Sequence, residues 1–257
     1  MRDGLEKYAV GVRLADRHGA VEGRPGGFDL LDMRWDLLPG VFSPLHTAST
    51  ELFTSWVPYP VGGRFLEVGS GTGVTAVTAA LRGCAQVTAV DITEAAVRNT
   101  RMNAARHGVT ERVRTLRSDL FDALEPGDRF DLIFWNSNVV EAPGDFECTS
   151  EIELAIFDSG YVTHERFLRQ GVERLADGGR LLLGFNSLGN LYALHRIAEG
   201  LGLRVQPLVS AKRQAGSFEV EFQLLELAPL APCVDASGMT GTSLTAVPRG
   251  QISSATL

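Results

Sequence analysis

Three carboxylates, three glycines and two asparagines have types and spacings that could do chemistry. In the stretch LEVGSGTGV, Gly69, Gly71 and Gly73 alternate directly after an apolar run. Glycines there let the backbone turn tightly and approach a ligand closely. Val74 stands where a dinucleotide fingerprint would have its third glycine. Glu67, two residues before the first glycine, would repel a pyrophosphate, but could hold a cationic ligand through water or orient the loop. Asp91 ends the next apolar run, where a ribose diol is gripped by two charge-assisted hydrogen bonds. Asp119, in RSDLF, follows a third run and could accept from an adenine amino group, with Ile92 and Leu120 against the ring faces. Any one of these acids could be a helix cap or a solvated strand end. The ordered set points to an adenosine-type cofactor. Asn136 and Asn138, in FWNSNVV, end a fourth run and could together grip an amino group, each with one carbonyl acceptor. For Asn138 a turn role with a positive backbone angle is the alternative.

Such residues meet only if the elements carrying them are laid side by side. From Arg64 onward apolar strands alternate with helices: RFLEV, a helix through 76–81, QVTAVD, a helix over 94–107, then RVRTLRSD, FDLIFW, RLLLGF, LRVQPLV and FEVEFQLLEL. This alternation predicts an α/β fold, a mostly parallel seven-stranded sheet with helices on both faces. Ligands then bind outside the carboxyl ends of the strands. Trp135 alternates away from Asn136 and is expected to pack under a helix.

Ahead of the sheet, Leu5, Tyr8, Val12 and Ala15 recur at helical spacing with Gly19 as a stop. FDLLDMRW and DLLPGVF read as a strand pair, and SPLHTASTELFTSWV as a helix starting at Ser43-Pro44. The expected organisation is an N-terminal cap (1–42), a ligand-binding domain (43–228) and a disordered tail (229–257), rich in Ala, Pro, Ser, Thr and Gly.

A formal charge of −7 argues against a nucleic-acid partner, and no apolar run is long enough to span a membrane. Three cysteines without paired spacing suit a reducing cytoplasm, and the five histidines form no ligand pattern, so no metal is expected.

The ordered series PGVFSP, LEVGSGTG, VDI, SDLF and FDLIFWN resembles the class I S-adenosylmethionine-dependent methyltransferases over residues 40–210, in particular the protein-glutamine methyltransferases that modify release factors. The resemblance implies a Rossmann-like domain, S-adenosyl-L-methionine as cofactor, and contacts from Glu67, Gly69, Gly71, Asp91, Asp119 and Asn136. In that family the fourth strand ends in Asn-Pro-Pro-aromatic, a rigid loop that accepts a flat amide or base. This chain reads Asn-Ser-Asn-Val, and only about 40 residues precede GVFSP. A small-molecule acceptor, an amine, is therefore the expected substrate. Tyr161, in an acid-rich lid segment that leads to a helix capped by Asp158 or Ser159, would place an aromatic face or hydroxyl near the sulfonium. His164 is either a general base or an exposed lid residue. Two other functions share these features. One is a cyclase resembling azetidine-2-carboxylate synthases, which releases methylthioadenosine from the cofactor; the other is a non-catalytic cofactor-binding protein.

Overall fold

The computed structural model describes residues 2–19, 26–143, 145–215 and 218–230. The chain opens with helix α1 (Arg2–Gly19) and the hairpin β1 (Gly27–Leu30) and β2 (Met33–Asp36). After a 3-10 turn over Pro44–His46 comes α2 (Ser49–Trp56). Then follow β3 (Arg64–Val68), α3 (Val74–Leu81), β4 (Gln86–Asp91), α4 (Glu94–Arg106), β5 (Val113–Arg117) and β6 (Phe130–Asn136). A short parallel pair, β7 (Val140–Ala142) and β8 (Phe157–Ser159), brackets the one-turn helix α5 (Glu151–Leu154). Helix α6 (Val162–Glu173), β9 (Leu175–Asn186), α7 (Leu191–Gly200), β10 (Leu203–Ala215) and β11 (Phe218–Pro229) complete the described chain.

The central sheet has seven strands in the order β10-β11-β9-β6-β3-β4-β5, and only β11 runs against its neighbours. Because strand side chains alternate, one run feeds two cores. Phe65, Phe134 and Leu182 point to the face covered by α2, α3 and α4. Leu66, Ile133, Leu181 and Leu183 point to the face covered by α6 and α7. The chain leaves β3 for β4 on one side and returns to β6 on the other. Between the carboxyl ends of β3 and β6 the sheet therefore has its switch point, where such sheets open a crevice.

The expected sheet is present, but the cap differs. The hairpin is made by FDLLDMRW with one residue on either side, and DLLPGVF beyond Asp36 is not its second strand. Instead, Asn99 and Asn103, fully buried on α4, hold that segment. Their Oδ1 atoms accept from Leu38 N and Asp36 N, each at 2.7 Å, and both Nδ2 groups donate to Asp36 O. The expected helix from Ser43 is interrupted: Ser43 caps the 3-10 turn, Thr47 is extended, and α2 starts afresh at Ser49. On α1, Tyr8, Val12 and Ala15 pack against the α6-side core, but Leu5 is 65% exposed. Gly11 lets the helix lie close, since a β-carbon there would stand 2.6 Å from the Phe157 ring. Beyond residue 230, the expected tail lies outside the described residues.

Candidate functional site

A cleft of about 1070 Å³ lies over the carboxyl ends of β3, β4 and β6. Its walls bring together Glu67, Gly69, Gly71, Asp91, Ile92, Asp119, Leu120, Asn136 and Asn138, drawn from four separate stretches of chain. Gly73, expected with them, does not line the cleft; it is the N-cap of α3.

All three loop glycines have positive φ: 65° at Gly69, 52° at Gly71 and 79° at Gly73. Their surroundings differ. A β-carbon at Gly73 would meet Thr100 Cα at 2.8 Å, so this glycine lets the loop dock on α4. At Gly69 it would approach the Trp135 ring nitrogen at 3.1 Å. At Gly71 it would meet nothing within 4 Å, which leaves that stretch of backbone bare toward the cleft.

Two buried carboxylates fasten the loop. Glu67 accepts from Ala76 N at 2.8 Å, within the first turn of α3. Burial drives its carboxyl up to about 8, against hydrogen bonds from Thr75 and Ala76, and the nearby Asp91 charge adds to the rise. Glu67 therefore orients the loop directly. Asp91 accepts from Gly71 N at 2.9 Å and from Thr93 N at 3.0 Å. Burial raises its pKa too, opposed by those bonds. Each Asp91 oxygen holds one loop N–H and has lone-pair capacity left for a hydroxyl.

Ile92, 43% exposed, and Leu120, buried with a φ of 48°, present apolar surface to the same cleft. Asp119 reaches the cleft but is not the free acceptor expected. Arg166 Nη1 donates to both its oxygens, at 2.9 and 3.1 Å. Arg166 is missed by sequence reasoning because it lies 47 residues away on α6.

At the end of β6, Asn136 makes only a long contact from Nδ2 to Ser49 Oγ, 3.5 Å. Ser137 Oγ donates to Gly184 O, tying the loop to β9. Asn138 is buried; its Nδ2 donates to Leu154 O at 3.1 Å and Phe157 O at 2.7 Å, so it pins α5 and β8 over the cleft. Its Oδ1 is buried without a hydrogen-bond partner among the described residues. A plain turn role does not describe Asn138, which has a negative backbone angle and long-range partners.

Tyr161 and His164 differ from expectation. Tyr161 is fully buried and does not line the cleft. Its hydroxyl donates to Val139 O and accepts from Asn190 N, both at 2.6 Å, and burial pushes its pKa well up. It braces the asparagine loop from behind, and with its ring enclosed it offers no face to a sulfonium. His164 is likewise fully buried, packed against the Trp135 and Tyr161 rings. Burial lowers its pKa, so the neutral ring donates from Nδ1 to Asp158 at 2.7 Å, a hydrogen bond rather than an ion pair. Asp158 also accepts from Thr163 N and His164 N in the first turn of α6, but the N-cap residue is Tyr161, with a φ of 55°, rather than the expected Asp158 or Ser159. Trp135 packs under α6 against Phe167 and His164. Among the described residues, no cluster of three or more His, Cys, Asp or Glu side chains is placed to hold a metal, and no helix is long and apolar enough to cross a membrane.

A bare glycine turn, a buried acid at the next strand end and an apolar pair beyond it fit an adenosine group. Residues 65–152 match the family described as a methyltransferase domain. The release factor glutamine methyltransferase of Bordetella pertussis is 35% identical over 167 residues, 62% of this chain and 59% of that protein. The chain carries a class I S-adenosylmethionine-dependent methyltransferase domain. The cofactor of this methyltransferase domain is S-adenosyl-L-methionine. The release factor glutamine methyltransferase of Neisseria gonorrhoeae is 33% identical, with 66% of each chain covered. The ribosomal protein uL3 glutamine methyltransferase of Bradyrhizobium diazoefficiens is 39% identical over 46% of this chain and 39% of that one. The chain thus spans about two thirds or less of the length of these curated relatives. The T. thermophilus 16S rRNA methyltransferase, solved with AdoMet and guanosine, shares the fold: TM-score 0.53, 22% identity, 80% of this chain and 50% of that one.

Proposed function

We propose that the protein transfers the methyl group of S-adenosylmethionine to the nitrogen of a small-molecule amine. The observation that carries this is Asn138, which lines the cleft with Asn136: its amide nitrogen is used by the lid, while its buried carbonyl oxygen is left without a donor among the described residues. A buried acceptor left unmatched costs about 1–3 kcal/mol, so an N–H from a bound substrate is a natural partner.

When bound, the cofactor supplies a methyl group on a sulfonium, already an excellent leaving group. The protein's work is to position the acceptor and exclude water. Gly69 and Gly71 give the cofactor close access to the backbone, and Asp91 offers carboxylate oxygens to a ribose diol. Ile92 and Leu120 form apolar walls for an adenine, with Asp119 and its Arg166 partner at the rim. Asn136 and Asn138 hold the acceptor nitrogen in line, while Ser137 and Tyr161 keep their loop from drifting.

The names of the curated relatives favour a second acceptor, a glutamine side chain of a protein. In this chain the Asn-Ser-Asn-Val loop, without the paired prolines of that family, supports the smaller and more flexible substrate. Incubation with S-adenosylmethionine alone separates methyl transfer from cyclisation. S-adenosylhomocysteine is expected only once an amine is added. Methylthioadenosine formed without any acceptor would assign the chain to cofactor cyclisation instead.

A further inference from the structure

Helix α1 turns one stripe toward the cleft. Val10, Arg13, Leu14 and Arg17 recur at i, i+3, i+4 and i+7, and all four line the cavity. Leu14 also packs on the core, as do Tyr8, Val12 and Ala15; the two arginines do not. Two of the four cleft-facing positions are thus arginines one turn apart. Among the described residues, no hydrogen bond or ion pair engages either guanidinium. Glu151 lines the same cleft, beyond ion-pair distance of both. Like charges one turn apart on a helix repel. A second observation points to a ligand: Asn138, with 8% of its surface exposed, lines the same cleft, and its buried Oδ1 has no hydrogen-bond partner among the described residues. One wall therefore lacks an N–H donor, and another lacks an anion.

We propose that Arg13 and Arg17 form a carboxylate-binding site at the acceptor end of the cleft, and that the acceptor is a small amino acid. Its nitrogen meets Asn136 and Asn138, and its carboxylate meets the two guanidinium groups, whose planar donors match carboxylate oxygens. The reacting end rests on the methyl-transfer reading above; the carboxylate site does not.

The methionine part of the cofactor also carries a carboxylate, so the test has two arms. The full chain is saturated with S-adenosylhomocysteine and titrated calorimetrically with ω-amino acids from β-alanine to ε-aminocaproate, each against the alkylamine of equal length. The best amino acid is expected to bind at least about tenfold more tightly than its amine, a 1.4 kcal/mol difference. Arg13→Gln with Arg17→Gln should abolish that ratio, leaving the melting temperature and S-adenosylmethionine affinity unchanged. Equal binding of acids and amines throughout the series would overturn the proposal. So would a double variant that loses cofactor affinity while keeping the ratio, which would give the arginines to the cofactor's carboxylate. If the ratio appears and collapses as expected while no probe is methylated, the carboxylate site stands and methyl transfer to amines falls.

Discussion

Around the glycine loop, the polar groups that shape the cleft are already held. Glu67 is bound to Ala76 N, Asp91 to Gly71 N and Thr93 N, and Asp119 to Arg166. Around the end of β6, the groups that face the same cleft are not. Asn138 Oδ1 has no partner, and Asn136 makes one contact at 3.5 Å. The first wall is a finished cradle whose parts are fastened to one another before any ligand arrives. The second is rigid behind and incomplete in front: Ser137 and Tyr161 anchor its backbone, while its amides wait for a donor. Substitutions in the two walls should therefore separate stability and cofactor affinity from turnover.

The largest effect is expected within the glycine loop itself. Gly73→Ala forces a β-carbon onto the Thr100 backbone at a φ of 79°. Strain and overpacking together should cost on the order of 3 kcal/mol of folding stability, readable by denaturant unfolding. Gly71→Ala faces open space, so its folding cost should stay near the strain alone, about 1 kcal/mol, while cofactor affinity falls. Equal destabilisation by the two would contradict the difference drawn between them.

Asp91→Ala should weaken S-adenosylmethionine binding by roughly 1.5–3 kcal/mol, the usual worth of hydrogen bonds to a charged group. It should also lower the melting temperature, because Gly71 N and Thr93 N lose their acceptor. Unchanged calorimetric affinity in a folded variant would remove Asp91 from the cofactor site. For Asn138→Ala the pattern should invert. Losing two buried bonds to the lid should cost about 1–2 kcal/mol of stability, and turnover should fall far more than cofactor affinity.

A further effect concerns pH. Glu67 in the folded chain keeps its proton up to about 8, against an ordinary 4.5. Between those values the native state holds a proton that the unfolded chain has lost, so this group makes stability fall as pH rises. His164 acts at the other flank. Its pKa is lowered by burial, so below its ordinary 6.5 the unfolded chain takes up the proton first, and stability falls as pH falls. Glu67→Gln should remove the Glu67-dependent fall in stability between pH 4.5 and about 8. A profile unchanged by that substitution would show that Glu67 is ionised when folded.

The cradle was legible in the sequence because its chemistry is local. A glycine turn, the acid at the next strand end and the apolar runs between them announce their own geometry. What was hidden depends on partners remote in the chain. Tyr161 is enclosed because its hydroxyl finds Val139 and Asn190. His164 is buried rather than exposed because Asp158 and the Trp135 ring receive it. DLLPGVF looks like a strand, but its backbone is satisfied by two asparagine side chains of α4. Strands β7 and β8, three residues each, exist through pairing with one another and the Asn138 amide, and no periodicity could show them. Arg13 and Arg17 read as the polar side of an amphipathic helix until its other stripe is seen to pack on the core.

The most direct test of the proposed function follows the methyl group. The protein is incubated with methyl-labelled S-adenosylmethionine and a cell extract separated into small-molecule and macromolecular fractions, and the products are weighed by mass spectrometry. Label on an amine in the small-molecule fraction, with an equal amount of S-adenosylhomocysteine and loss of transfer in Asn138→Ala, is the predicted result. Label on glutamine in the macromolecular fraction, with the small-molecule fraction silent, would contradict it.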